Sequence, residues 1–295
     1  MSHTCAFCAS SRVRVQYPDL LHKVDVSFGP FSLIVCLDCG SLSTTNPPSP
    51  ERLAEFYGRY EAFRPEWYKA GAQAGALAAQ YRFYAEYLRK YLPVSSKSWV
   101  DVGAGHGEVA GLLSGAVPAA GTAVEIGLRP AAFPPLVEYR QVDLNKPGWL
   151  DMLGRQYDFV YSVAVWEHVL SPLKFAAESL SLVAPGGTLL MITPNFGSLA
   201  SRVLGQRWPY FEPGEHLSIP TPRGAELCVR QAAESANVMD TTITIRPISV
   251  GYSLRYAMQV ARLNRFAELI PPTWSAPLPT GILTALVRRA QPPTR

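Results

Sequence analysis

The 295-residue chain predicts an α/β protein: a mostly parallel sheet with helices on both faces, preceded by a small cysteine-bearing module. Three observations predict it. From Lys97 onward, short apolar runs alternate with amphipathic stretches, and strands joined by helical crossovers pair in parallel with helices on both faces. Ser98 to Leu113 passes from an apolar strand through closely spaced glycines straight into a helix. Two C-x-x-C pairs stand before residue 40. With 48% hydrophobic and 17% charged residues, the chain can bury a sizeable core and is far from a disordered composition.

The first element is the cysteine module. Cys5-Ala6-Phe7-Cys8 and Cys36-Leu37-Asp38-Cys39 use four of the five cysteines. Two such knuckles read as a tetrahedral Cys₄ zinc site, which has no open position and is therefore structural. Two redox pairs, or incidental thiols, are the other readings. Strand-like pieces at Arg12 to Gln16 and Phe31 to Val35 suit a zinc ribbon over residues 1–45, which leaves His3 and His22 spare. Thr44 to Pro50 is a linker by composition. Ser49-Pro50-Glu51 then starts a helix, with a hydroxyl cap, proline in the first turn and an acid beside it. That helix carries Leu53, Phe56, Tyr57 and Tyr60 at helical spacing, and Ala70 to Leu92 reads as a second helix, so residues 46–96 form a helical linker or lid.

The glycine turn follows. The strand Trp99 to Val102 contains Asp101 and leads into Gly103-Ala104-Gly105-His106-Gly107. Glycine permits positive φ and a close ligand approach, but this spacing is not the G-x-G-x-x-G of dinucleotide sites. A second strand ends at Glu125-Ile126, where a carboxylate can accept both hydroxyls of a ribose. A third ends at Asp143-Leu144, where another can receive an adenine amino group. A fourth ends at Ser162-Val163. All four positions lie at strand carboxyl ends, where parallel sheets hold ligands. A nicotinamide enzyme would also use Glu125.

Beyond these come Trp166-Glu167-His168-Val169 and the run Leu182 to Asn195, with Pro185-Gly186-Gly187 at its turn and Pro194-Asn195 at its end. The glycine turn, the acidic strand ends and this run together resemble the class I S-adenosylmethionine-dependent methyltransferases, in the group holding ubiquinone-biosynthesis O-methyltransferases and sugar methyltransferases. The resemblance covers Lys97 to Asn195, with a thinner match to His216. It implies a Rossmann-like seven-stranded sheet over residues 97–295 and S-adenosylmethionine as methyl donor. The donor would be held by Asp101, Gly103, Ala104, Gly105, His106, Gly107, Glu125, Ile126, Asp143, Leu144, Ser162 and Val163. In many relatives a tyrosine near the start of the domain closes over the donor, so Tyr57 or Tyr60 is a candidate; aromatic packing is the plainer reading of both.

Methyl transfer to a hydroxyl needs alignment and removal of a proton, and histidine suits the second task because it titrates near neutrality. His168 stands just after the fourth strand and is one candidate base; a hydrogen-bonded Glu167–His168 pair that shapes the loop is the other reading. Arg207 to Leu217 is an aromatic loop resembling a segment that faces the acceptor in small-molecule members. It supplies His216 as a second candidate base and Tyr210 as an orienting group, or else a packed cover. Thr221 to Ala236 reads as a helix in which Cys228 is a buried thiol, followed by a strand from Thr241 to Ile248. Gly251 to Ile270 reads as a helix, and Ile282 to Val287 as the last strand. Residues 251–279 then form a helical insertion lining the acceptor pocket. Arg255, Arg262 and Arg265 leave only a weak case for membrane-surface contact through 251–270.

These readings converge on an enzyme that methylates a small hydroxylated or glycosidic metabolite, at oxygen before nitrogen or carbon, with a structural Zn²⁺. An RNA methyltransferase with a zinc module is one alternative. Against it, the net charge is only +4, and Arg12, Arg14 and Lys23 of the ribbon are offset by Asp19, Asp25 and Asp38, so the chain carries no clear nucleic-acid signature. A zinc-bearing scaffold that binds the donor without catalysis is another. The N-terminus lacks the charged and apolar regions of a signal peptide, and the uncharged run Ser179 to Ser201 is broken by prolines and glycines, so a cytoplasmic protein with no transmembrane segment is expected.

Overall fold

The computed structural model describes residues 3–23, 25–59, 76–271 and 274–291. Tyr60, and the first part of the helix expected from Ala70, lie outside them. Two sheets organise the described residues.

The larger sheet has seven strands: β4 (Ser98–Val102), β5 (Ala120–Glu125), β6 (Val137–Gln141), β7 (Tyr157–Val163), β8 (Val183–Pro194), β10 (Thr241–Ser253) and β11 (Ser275–Arg289), in the order β10-β11-β8-β7-β4-β5-β6. The pairs from β8 to β6 are parallel, while β11 runs antiparallel to both of its neighbours. This is the seven-stranded Rossmann-like sheet that the family resemblance implies. Its central strands, β4 and β7, are buried on both faces, as a near-continuous apolar run requires. One face is covered by α2 (Ala76–Arg89) and α3 (Glu108–Ser114), through Tyr84, Leu88, Val109 and Leu113 against Trp99, Phe159 and Tyr161. The other is covered by α4 (Pro172–Ser181) and α6 (Pro222–Ser235), through Phe175, Leu180, Ala225 and Val229 against Val100, Val160 and Met191.

The smaller sheet contains β1 (Val13–Leu20), β2 (Phe31–Cys36), β3 (Leu42–Thr44) and β9 (Ser218–Ile219). Its fourth strand therefore comes from the far side of the chain, and Ser43 pairs with Ser218. The cysteines, too, lie in the core of the large sheet: Cys5, Phe7, Cys36 and Cys39 share a cluster with Trp166 and Val229, and Phe7 meets Trp166 edge-on at 5.5 Å. Helix α1 (Pro50–Gly58) starts as its sequence dictates, with the Ser49 hydroxyl accepting from the Arg52 N–H and proline in the first turn. It buries Leu53 and Phe56 against Phe28 and Phe31.

The expected helix from Gly251 to Ile270 is corrected. Gly251 to Ser253 extend β10, paired with Ala276 and its neighbours, and two short helices follow, α7 (Leu254–Val260) and α8 (Asn264–Ala267). The periodicity was real, but cross-strand pairing with the long β11 outweighs it at the start. Arg262, with φ of 59°, breaks the rest. The last strand is correspondingly longer than Ile282 to Val287. A short α5 (Leu199–Leu204) completes the set. No helix among the described residues is long and apolar enough to cross a membrane.

Candidate active site

The glycine turn joins β4 to α3 with Gly103, Gly105 and Gly107 at φ of 83°, 54° and 83°. Two of these have no room for a side chain: a Cβ on Gly103 would lie 2.4 Å from Val165, and one on Gly107 would lie 2.5 Å from Phe133. At Gly105 the space is open. That opening is what a ligand approaching the backbone requires. The Gly103 and Ala104 N–H groups both donate to the Val124 carbonyl, tying the turn to the end of β5. Glu125 closes it from the other side. One carboxylate oxygen accepts the Gly105 N–H at 2.8 Å and the other accepts the Ile126 N–H at 2.9 Å. The oxygen on Ile126 also accepts the Gly127 N–H, at 3.5 Å, so the oxygen on Gly105 keeps the clearest lone pair for the ribose-binding role expected of Glu125.

Asp101 is buried beneath the turn, and burial pushes its carboxyl up to about 8 against the lowering effect of the Tyr161 hydroxyl, with Glu125 and Glu108 adding repulsion. It is therefore mostly neutral near pH 7. Asp143 sits just past β6, where its carboxylate accepts the Asn145 N–H at 3.0 Å; Asn145 in turn accepts the Leu170 N–H at 2.9 Å, linking the β6 and β7 loops. Leu144 and Val163 are half-buried at the same edge. Ser162 is buried on β7, with a hydroxyl that has no partner among the described residues. His106 is half-buried within the turn itself. The predicted donor residues thus gather along one edge of the sheet.

A second constellation abuts this edge. Ala164, at φ of 54°, turns the chain out of β7 so that Val165 lies against Gly103 and Glu167 and His168 follow at once. The His168 and His216 rings meet edge-on at 4.6 Å. His168 Nδ1 lies 2.9 Å from the Tyr57 hydroxyl of α1, and His216 Nδ1 donates to the Tyr210 carbonyl at 2.6 Å. Glu167 is wholly buried; one carboxylate oxygen accepts from the Thr193 hydroxyl at 2.8 Å, and the other has no partner among the described residues. Burial pulls His168 down to about 4, opposed by the Glu215 side chain and main chain, and pulls His216 down to about 3, helped by repulsion from His168. Burial also pushes Glu167 up to about 7. The histidines are thus neutral at physiological pH, free to accept a proton but weaker bases than the near-neutral imidazole expected from the sequence.

The structure brings together both candidate histidines, Glu167 and Tyr57. Tyr210 joins them through its carbonyl rather than its ring; its hydroxyl accepts from the Gln80 amide of α2 at 3.3 Å. His22, left spare by the sequence, is buried 2.9 Å from Glu215, behind His216. Glu215 was visible beside His216 in the sequence, but nothing there links it to a residue so distant, and Gln80 carries no local signal at all.

The four cysteines converge as their spacing predicts. The Cys5 and Cys39 sulfurs lie 3.6 Å apart, as do those of Cys8 and Cys36, and all four lie within 4.8 Å of one another. A tetrahedral zinc with bonds of about 2.3 Å separates its sulfurs by about 3.8 Å, so the cluster fits that ion. The Cys5–Cys39 hydrogen bond lowers the Cys39 thiol and raises that of Cys5, so the two sulfurs share one proton between them.

A seven-stranded sheet with this edge defines a class I S-adenosylmethionine-dependent methyltransferase. A family model described as "Methyltransferase domain" matches residues 76–232, and the chain belongs to that family. The fold is similar to that of the plantazolicin methyltransferase BpumL in complex with SAH, at 12% identity and a TM-score of 0.52, over 81% of this chain and 94% of the other. It is similar to a Thermotoga maritima SAM-dependent methyltransferase described as a possible histamine N-methyltransferase, at 14% identity and a TM-score of 0.51, over 80% and 99%. A Haloferax volcanii chain, from a complex between the Trm112 methyltransferase activator and a methyltransferase, matches at 12% identity and a TM-score of 0.50, over 76% and 96%. No curated protein matches the sequence. At these identities the solved structures speak to fold alone.

Proposed function

We propose that this methyltransferase transfers the methyl group of S-adenosylmethionine to a hydroxyl oxygen of a small hydroxylated or glycosidic metabolite. The observation that carries the reading is the neutral His168–His216 pair, the first ring half-buried and the second buried, set against the glycine turn through Val165. S-adenosylmethionine supplies an electrophilic methyl on a sulfonium. Asp101, the Gly103 to Gly107 turn, Glu125, Ile126, Asp143, Leu144, Ser162 and Val163 hold it along the sheet edge. The histidine pair accepts the acceptor's proton, and Tyr57 and Tyr210 fix the two rings through the Tyr57 hydroxyl and the Tyr210 carbonyl. Residues 1–45 form a zinc ribbon whose Zn²⁺ is structural, residues 46–96 a lid, and residues 251–279 a wall of the acceptor pocket. A reducing compartment such as the cytoplasm keeps the four thiols available to the metal.

Calorimetric titration with S-adenosylmethionine and its demethylated product, followed by a transfer assay on phenols, glycosides and amines, tests this. Both ligands bind the native protein, and Glu125→Ala abolishes binding. Hydroxylated acceptors turn over, and His168→Ala and His216→Ala each lower that turnover by about tenfold or more, the floor for losing a general base. Turnover confined to amines, or undiminished in both histidine variants, overturns the assignment.

A further inference from the structure

We propose that Glu167, His168 and His216 form a second metal centre, holding a divalent first-row cation such as Zn²⁺ or Mn²⁺ with a coordination position open to the acceptor oxygen. The idea rests on the reading of this cluster as the acceptor end of the site, and it changes what the histidines do there. Their ligand atoms, one from each residue, all lie within 4.8 Å of one another. Small side-chain rotations bring such a group onto bonds of roughly 2.0–2.2 Å to one ion.

Each of the three side chains is already oriented by a hydrogen-bond partner. A metal-binding histidine is oriented by a partner on the ring nitrogen that does not touch the metal, and a ligating carboxylate is likewise hydrogen-bonded. His216 donates from Nδ1 to the Tyr210 carbonyl, which leaves the Nε2 lone pair for a cation. His168 has Nδ1 on the Tyr57 hydroxyl, and its other nitrogen has the Glu215 main chain as its hydrogen-bond partner, a bond that the cation would replace. Glu167 has one oxygen fixed by Thr193, while the other is buried and has no partner among the described residues. A buried acceptor without a donor costs roughly 1–3 kcal/mol, and a cation removes that cost. Two imidazoles and one carboxylate form a three-ligand set that leaves room for a further oxygen.

The chemistry balances. The acceptor hydroxyl binds the open position, its pKa falls, and its proton passes to solvent. Its oxygen then attacks the methyl carbon, the C–O bond forms as the C–S bond breaks, and the thioether product leaves. The cation takes the place of the general base, and the histidines serve as ligands.

The test separates this centre from the cysteine site by starting from protein whose zinc content is first set to one ion per chain, the complement of the four cysteines. Mn²⁺ uptake is followed by electron paramagnetic resonance and Co²⁺ uptake by visible absorption, with metal content per chain measured after gel filtration. The native chain takes up one cation beyond its Cys₄ complement, and Glu167→Gln and His216→Ala each weaken uptake at least tenfold. No uptake by the folded native chain overturns the proposal whatever the variants do, and so does uptake undiminished in both variants. If transfer to hydroxyls persists in cation-free protein, the metal fails and the histidine-base reading stands. If the cation binds but no hydroxyl is methylated, the metal site stands and the acceptor assignment fails.

Discussion

Asp101 shows how one carboxyl can set both stability and donor affinity. Its folded-state value of about 8 stands above the ordinary 3.8, and the groups facing it are Tyr161, Glu125 and Glu108. The neutral form is the one the fold prefers, so its stabilising contribution is complete below pH 4 and is lost as pH rises through 8, at roughly 1.4 kcal/mol per pH unit. Asp101→Asn removes this dependence. The variant melts above the native protein at pH 7, with a gap that widens toward pH 8 in melting curves taken across pH. A positively charged donor favours the ionised form, so native donor affinity rises from pH 6 to pH 8. Isothermal titration of Asp101→Asn shows a weaker and flatter profile. Gly103 is a second sensitive position, because its φ is 83° and an added methyl would press on Val165 at 2.4 Å. Gly103→Ala lowers the urea midpoint by the equivalent of about 1–3 kcal/mol and weakens donor binding in parallel.

Helix α6 and strand β9 connect parts of the chain that lie far apart in sequence. Thr221 caps α6 by accepting the Gly224 N–H at 3.1 Å, while its hydroxyl donates to the Cys39 carbonyl and its N–H donates to the Ser41 hydroxyl at 3.1 Å. One residue thus serves the helix start and the second cysteine knuckle together. Thr221→Ala costs more than the typical ~1 kcal/mol of an N-cap, measured by denaturant unfolding, because the knuckle loses its partner as well. Helix α1 plays a similar part at the other site, where Tyr57 reaches His168. Tyr57→Phe keeps donor affinity and lowers turnover several-fold, since the ring stays packed while His168 loses its fixed orientation. A loss of donor binding instead would place Tyr57 over the donor.

The whole molecule is a single network around two sheets that share contacts through β9 and through the core joining Cys5, Phe7 and Trp166. Removing zinc from protein loaded at the four cysteines is therefore expected to lower one cooperative thermal transition, followed by calorimetry, rather than to split off a separate small one. Two independent transitions would show that residues 1–45 fold alone.

Much of this was legible in the amino-acid order. The knuckle spacing, the glycine turn, the acidic strand ends and the helix cap at Ser49 are local. Each depends on residues a few positions apart and on the backbone geometry they permit. The parallel sheet with helices on both faces followed from apolar runs of the right length and order, because strand burial is a local pattern repeated, whereas the seven strands followed from the family resemblance. Pairings between distant segments were not legible. Ser43 with Ser218, His22 with Glu215, Tyr57 with His168, and Gln80 with Tyr210 bring together residues more than a hundred positions apart, and no spacing rule encodes them. The break of the helix expected at Gly251 has the same origin, since strand pairing with β11 competes against a periodicity that is equally real. The family resemblance that the motifs carry pointed to the class of chemistry, whereas the neutral histidines, the neutral Asp101 and the orphaned Glu167 oxygen were decided by folding. Desolvation is a property of the packed interior and has no signature in the sequence.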